Sequence, residues 1–216
     1  MNTVDLGPAE VGEGHPPFLI AEIGSNHNGD MDLCRRIIDA AVEAGADAVK
    51  FQSWTEDTLA SREEYERSEG LLESVRQYQL TPEQHREIQA YCREQGIPFC
   101  SSVFSEEEAD LLDALDVPFY KIASMDINNL PLLRYVAKKG KPMVVSTGMA
   151  TLGEIERAVD AIHEVGNERL VLLHCVSVYP PDIDRVDLRN MDTLATAFEA
   201  PVGFSDHTLG TVIPLA

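Results

Sequence analysis

The chain has 216 residues, 44% of them apolar, with 37 acidic against 17 basic residues and a formal charge of −20. That much apolar material suits one globular domain with a real core and excludes a disordered tail. The acid excess argues against sequence-independent binding to nucleic acid or to an anionic membrane, both of which need clustered Lys and Arg, so any anionic substrate must be held by a few locally placed cations.

Residues 1–17, rich in Gly, Pro and acid, read as a short leader. From residue 18 onward an apolar strand, a polar turn and an amphipathic helix recur to the end of the chain. The pattern predicts strands at 18–24, 48–52, 98–103, 119–124, 142–148, 170–176 and 201–206. It predicts helices near 31–44, 82–95, 106–115, 130–138, 153–164 and 191–198. Ile37, Ile38, Ala41 and Val42 form the apolar stripe of the first helix, and Gly45 follows as its stop signal. Thr81 and Pro82 have the form of an N-cap and first-turn proline. The acidic run from Glu106 to Asp110 reads as a solvated face. The stretch 53–80, polar and rich in Glu and Ser, is too long for an ordinary βα connection and reads as a lid or substrate loop.

Strict alternation in short units implies parallel strands with crossover helices. An open doubly wound sheet competes with a barrel, but polar residues gather at the C-terminal ends of nearly all the strands and not at one switch point, which favours a (β/α)8 TIM barrel. Only about seven strands are present, so residues 18–216 read as an incomplete barrel, truncated before its eighth strand, with the outer strands exposing unpaired edges. Cys34, Cys92, Cys100 and Cys175 form no C-x-x-C pair and sit in apolar-periodic segments, which predicts buried free thiols in a reducing compartment. The chain lacks a basic n-region followed by an apolar core, and no apolar run reaches membrane-spanning length; a cytoplasmic protein is expected.

Alternate side chains of a barrel strand face the helices and must be apolar there. Leu19, Ala21 and Ile23 take that side in the first strand, so Glu22 points inward; Val49 and Phe51 take it in the second, so Lys50 and Gln52 point inward. Lys121 follows Tyr120 and faces in as well, whereas Ser124 has the opposite parity and belongs to a loop-like strand end. Ser205 and His207 share one face at the end of the seventh strand. An unpaired ammonium in a low dielectric costs on the order of several kcal/mol, and a bound phosphate or carboxylate would remove that cost. Ser101, Ser102, Ser124, Ser146, Thr147 and Ser205 add neutral donors near the strand ends where such barrels bind substrates. The alternative is structural: Lys50 pairs with Glu22 or Asp126 and holds the barrel together. His207, beside Asp206, suits a divalent metal, proton transfer or a plain structural hydrogen bond. His27 lies in a turn after the first strand, and His174 reads as a hydrogen-bonded core residue. No P-loop, G-x-G-x-x-G or nucleophile elbow is present.

Six segments then stand together: Ala-Glu-Ile-Gly-Ser-Asn-His-Asn-Gly at 21–29, Val-Lys-Phe-Gln at 49–52, Tyr-Lys-Ile-Ala-Ser at 120–124, Ser-Thr-Gly-Met at 146–149, His-Cys-Val-Ser-Val-Tyr-Pro at 174–180 and Gly-Phe-Ser-Asp-His-Thr at 203–208. In this order they resemble the N-acetylneuraminate (sialic acid) synthase family. The resemblance implies condensation of phosphoenolpyruvate with N-acetylmannosamine or a related 2-acetamido sugar, release of phosphate, and use of Mn²⁺ or another divalent metal through His207. It implies that Lys50, Ser102, Lys121, Ser124, Ser146, Ser177 and Ser205 hold phosphoenolpyruvate, and that Glu22, Asp126 and Tyr179 face the sugar. Glu22, Lys50 and Lys121 are the expected catalytic residues. Ser102 stands where the family usually has Thr, Ser177 replaces an Asn, and Asp126 stands where many relatives have Glu, which displaces a contact to an acceptor hydroxyl by about a methylene. The family's second metal-binding His and its antifreeze-like C-terminal domain would lie beyond Ala216, and the full-length form is expected to be a homodimer. Two other readings remain: a sibling 3-deoxy sugar acid synthase, whose phosphorylated acceptor needs a second cationic site that the sequence does not offer, and a non-catalytic truncated remnant.

Overall fold

In a computed structural model that describes residues 3–215, the first element is a hairpin. Thr3–Asp5 (β1) pairs antiparallel with Glu10–Gly12 (β2), so the segment read as a leader is folded. Gly7 takes a positive φ of 97° at the turn, where its N–H is 2.8 Å from the Asp5 carboxylate. Val4, Leu6 and Val11 are buried. Strands of three residues contribute one buried side chain each, too few to show a period in sequence.

Two compact units make up the chain: Pro17–Tyr120, and the described parts of Met1–Pro16 and Lys121–Ala216. In the first, β3 (Ile20–Gly24), β4 (Ala48–Ser53) and β5 (Phe99–Val103) pair in parallel, in chain order. The crossovers carry α1 (Met31–Glu43), then α2 (Arg62–Arg67), α3 (Leu71–Tyr78) and α4 (Pro82–Gln95), and α5 (Glu106–Ala114) follows β5. The start of α1 is set by Asp30, whose carboxylate accepts from the N–H groups of Asp32 and Leu33. Gly45, at φ 77°, ends it. Its apolar stripe buries Cys34, Ile38 and Ala41, and full burial of a side chain such as Ile38 is worth about 1.5–3 kcal/mol. Thr81 and Gln84 form the reciprocal capping box of α4.

The long connection 53–80 is not a bare loop. It holds α2 and α3, and it is tied down by Thr58 donating to the Glu108 carboxylate, by Arg76 on Glu56 at 2.6 Å and by the Glu56 N–H on Gln79 at 3.1 Å. Glu108 also accepts from the Phe104 N–H at 2.8 Å.

Tyr120–Ile122 (β6) closes the first unit and opens the second. A 3-10 turn at Ser124–Asp126 leads to α6 (Leu130–Lys138), capped by Asn129. Then come β7 (Met143–Ser146), α7 (Leu152–His163), β8 (Leu170–Cys175), α8 (Asn190–Phe198) and β9 (Val202–Ser205), with β7, β8 and β9 paired in parallel and in chain order. Leu132, Leu133, Val136, Met143, Ile162 and Leu170 form the heart of this unit's core. A seven-stranded sheet in chain order, β3 to β9, alternating with helices among the described residues, is of the (β/α)-barrel class predicted from the sequence. The four cysteines are buried and none is in a disulfide, as expected. Among the described residues no helix is long and apolar enough to cross a membrane.

Candidate functional site

Parallel pairing places Glu22 in register with Lys50 and Gln52 with Ser102. Their side chains meet accordingly. The Lys50 ammonium forms an ion pair with the Glu22 carboxylate and lies 3.3 Å from the Ser102 hydroxyl. The lysine side chain is 11% accessible and the glutamate 41%, so the pair has a buried cation and a solvent-facing anion. The indole of Trp54 donates to the Gln52 carbonyl at 3.2 Å, which turns the Gln52 amide nitrogen toward Gly24. A Cβ on Gly24 would stand 3.0 Å from the Glu22 carboxylate at a φ of +53°, so both space and backbone favour glycine there. The structural pairing of Lys50 with Glu22 weighed from the sequence is thus present, and it leaves Lys50 beside a second donor.

The second cluster lies in the unit that begins at Lys121. Its ammonium, buried on β6, donates to the Ser146 hydroxyl at 2.7 Å and to the Ile122 carbonyl at 2.9 Å. Ser124 occupies the 3-10 turn beyond the strand, as its parity required, and accepts from the Gly148 N–H at 3.1 Å. Gly148 is where backbone and two hydroxyls crowd together: a Cβ there would lie 2.5 Å from Ser177 Oγ and 2.8 Å from Ser124 Oγ. Ser177 Oγ and one carboxylate oxygen of Asp126 are buried without a hydrogen-bond partner. Burial pushes the Asp126 carboxyl up to about 6, against a smaller opposing contribution from the Asn129 side chain.

On β8 and β9, Cys175 stands in register with Ser205, and its thiol lies 3.9 Å from His207 Nδ1. Burial alone would raise that thiol's pKa, but the neighbouring His207 imidazole and Ser124 hydroxyl outweigh it and hold the group below its usual value. The Tyr179 ring, largely exposed, lies 4.2 Å from the His207 ring between centroids. His207 was the expected metal ligand. Among the described residues no group of three His, Cys, Asp or Glu side chains is placed to share a metal ion, so the donors present do not compose a metal site by themselves.

Four polar residues singled out in the sequence serve other purposes. Ser101 faces away from Ser102 and bonds to Ser53, while the Thr147 hydroxyl is spent on the Leu173 carbonyl at 3.0 Å. His27 is buried and its Nδ1 accepts from the Gly29 N–H, which makes it a turn former. His174 is the core histidine expected, with Nε2 2.6 Å from the Val186 carbonyl. Cys175 was read only as a buried thiol; its parity with Ser177, two residues on, was the signal that placed it on the polar face.

Buried lysines and hydroxyls at the C-terminal ends of parallel strands define the chain as a (β/α)-barrel protein with polar strand ends suited to anions. The chain belongs to the NeuB family, whose sequence profile matches residues 37–216. It is 42% identical over its full length to an uncharacterized protein of Methanocaldococcus jannaschii, covering 62% of that protein. It is 42% identical over 210 residues to the N,N'-diacetyllegionaminic acid synthase of Legionella pneumophila, an alignment that takes in 91% of this chain and 59% of that one. Among solved structures, the N-acetylneuraminic acid (sialic acid) synthetase of Leptospira borgpetersenii, in complex with citrate, superposes with a TM-score of 0.91 at 33% identity, covering 99% of this chain and 73% of that one. The chain therefore spans about three-fifths of the length of these curated relatives.

Proposed function

We propose that this chain supplies the phosphoenolpyruvate-binding barrel of a nonulosonic acid synthase, which joins phosphoenolpyruvate to N-acetylmannosamine or a related 2-acetamido sugar and releases phosphate. The observation that carries the reading is a buried lysine beside a hydroxyl in each unit, Lys50 with Ser102 and Lys121 with Ser146. The names of the relatives support the product class. An arriving dianion would take the place of the Glu22 carboxylate at Lys50, and the displaced glutamate, already facing solvent, would turn toward the sugar.

In the condensation the enol C3 attacks the aldehyde carbon of the open-chain sugar, and the new alkoxide takes up a proton. Water then adds at C2, and the tetrahedral intermediate expels phosphate by C–O cleavage. The lysines and serines hold the anion and its developing charge. Asp126, with its pKa raised to about 6, is suited to hold or release a proton at a sugar hydroxyl. His207, beside the exposed Tyr179 ring, would orient that ring toward the sugar. For the whole protein we also propose a homodimer, a cytoplasmic location and a divalent cation such as Mn²⁺, which His207 would help to hold and which would polarise the sugar carbonyl when bound.

The test is phosphate release from phosphoenolpyruvate with N-acetylmannosamine and Mn²⁺, with Lys50→Ala as the control. Wild type is expected to turn over, and Lys50→Ala to lose about a hundredfold or more in kcat/KM. Turnover of the variant equal to wild type would remove Lys50 from the site, and no release by wild type would leave the chain a non-catalytic binder.

A further inference from the structure

Behind the Lys50 cluster, on the opposite face of the same strands, lies a buried polar chain that neither the substrate reading nor the hydrophobic core requires. Ser53 ends β4 one residue past Gln52, and Ser101 precedes Ser102 on β5. Their hydroxyls are 2.7 Å apart, and the Ser53 hydroxyl is also 2.7 Å from Nε2 of His85 on α4. The other imidazole nitrogen, Nδ1, lies 2.9 Å from the Thr81 carbonyl at the start of that helix. All three side chains are at most 2% exposed.

The partners dictate the direction of every bond. A carbonyl only accepts, so Nδ1 carries the hydrogen and donates to Thr81. Burial holds the imidazole neutral, with its pKa lowered chiefly by desolvation, so Nε2 is bare and must accept. The Ser53 hydroxyl therefore donates to Nε2, and its oxygen is left to accept from Ser101. Helix, strand β4 and strand β5 are joined in one proton order at the level where Gln52 and Ser102 pair in register. A rotation of either strand end about its axis would break this chain on one face and misplace Lys50, Gln52 or Ser102 on the other, because alternate residues of a strand move together.

We infer that His85 is a positioning residue for the anion-binding face: through Ser53 and Ser101 it fixes the two strand ends that display Lys50, Gln52 and Ser102. The consequence for phosphoenolpyruvate rests on the function proposed above; the coupling of His85 to the strand ends does not. Trp54, the chain's single tryptophan, is buried next to Ser53 and bonded to Gln52, and gives a native fluorescent probe at this spot.

The experiment compares wild type, His85→Phe and His85→Gln, well below their melting temperatures, by hydrogen exchange and by phosphoenolpyruvate titration of Trp54 emission. His85→Phe removes the acceptor; the amide oxygen of His85→Gln can restore it. Expected are faster exchange confined to residues 52–54 and 101–103 in His85→Phe, about tenfold weaker phosphoenolpyruvate binding, and recovery of both in His85→Gln. A merely structural histidine would lower the melting temperature of both variants while leaving local exchange and the affinity of the folded protein unchanged, and that result overturns the inference. If wild type does not respond to phosphoenolpyruvate, the proposed function falls, whereas local protection from exchange lost in His85→Phe and regained in His85→Gln still establishes the coupling.

Discussion

Asp126→Asn tests whether the 3-10 turn after β6 truly holds a desolvated carboxyl. The group's pKa rises from its ordinary 3.8 to about 6 on folding because burial disfavours the charged form. A shift of about two units corresponds to about 3 kcal/mol at about 1.4 kcal/mol per unit. With allowance for partial solvent access this becomes on the order of 1–2 kcal/mol. The folded-state pKa of this acid is raised, so the unfolded chain gives up the proton first, and the cost grows as pH climbs from about 4 to about 6 and is constant above that. Asp126→Asn, neutral at every pH, should therefore melt level with wild type below pH 4 and higher than wild type above pH 6. At about 2–4 °C per kcal/mol for a domain of this size, the gain near pH 7.5 is about 2–8 °C. Thermal melts of both proteins across that range are the assay. A difference between them that does not change with pH, or an Asn variant less stable at pH 7.5, would refute the desolvation argument.

At Gly148 no positive φ is involved; the glycine is there for room. Gly148→Ala would bring its methyl 3.0 Å from the Cys175 carbonyl as well as against two serine hydroxyls, and the carbonyl cannot swing away. Overpacking of this kind costs about 1–3 kcal/mol, and calorimetry should show it together with weaker phosphoenolpyruvate binding; unchanged stability and affinity would mean that the crowding is relieved by small backbone shifts. Thr58→Val removes the hydroxyl that ties the 53–80 connection to Glu108 and should cost about 1 kcal/mol. Limited proteolysis should then cut within that segment several-fold faster than in wild type, and an equal rate would show that Arg76 and Gln79 suffice to hold it.

The barrel strands and their helices were legible because each has a period long enough to read. Pro82–Gln95 and Leu130–Lys138 have the boundaries that capping residues and apolar spacing predict. The hairpin at Thr3–Asp5 and Glu10–Gly12 and the short helices between Ser53 and Leu80 were not legible, since few of their residues are buried and loop-like composition hides them. Strand parity placed Glu22, Lys50 and Lys121 and explained the displacement of Ser124. It did not separate Ser101 from Ser102, because both are small hydroxyls near a strand end and only the partner on α4 shows which way Ser101 turns. His207 had the right position for a ligand, but a metal set needs donors from several elements, and a single strand end cannot reveal whether they arrive.

The Glu22 carboxylate, in contact with Lys50 yet 41% accessible, acts as a built-in placeholder. A chloride or a small monoanion offers the lysine no more than the glutamate already does, so it has little to gain by entry. In the function proposed above, a ligand with two negative charges would displace the resident, and the evicted side chain would return to water at small cost. On the function proposed above, selectivity at Lys50 would come from a threshold of charge more than from the shape of a pocket.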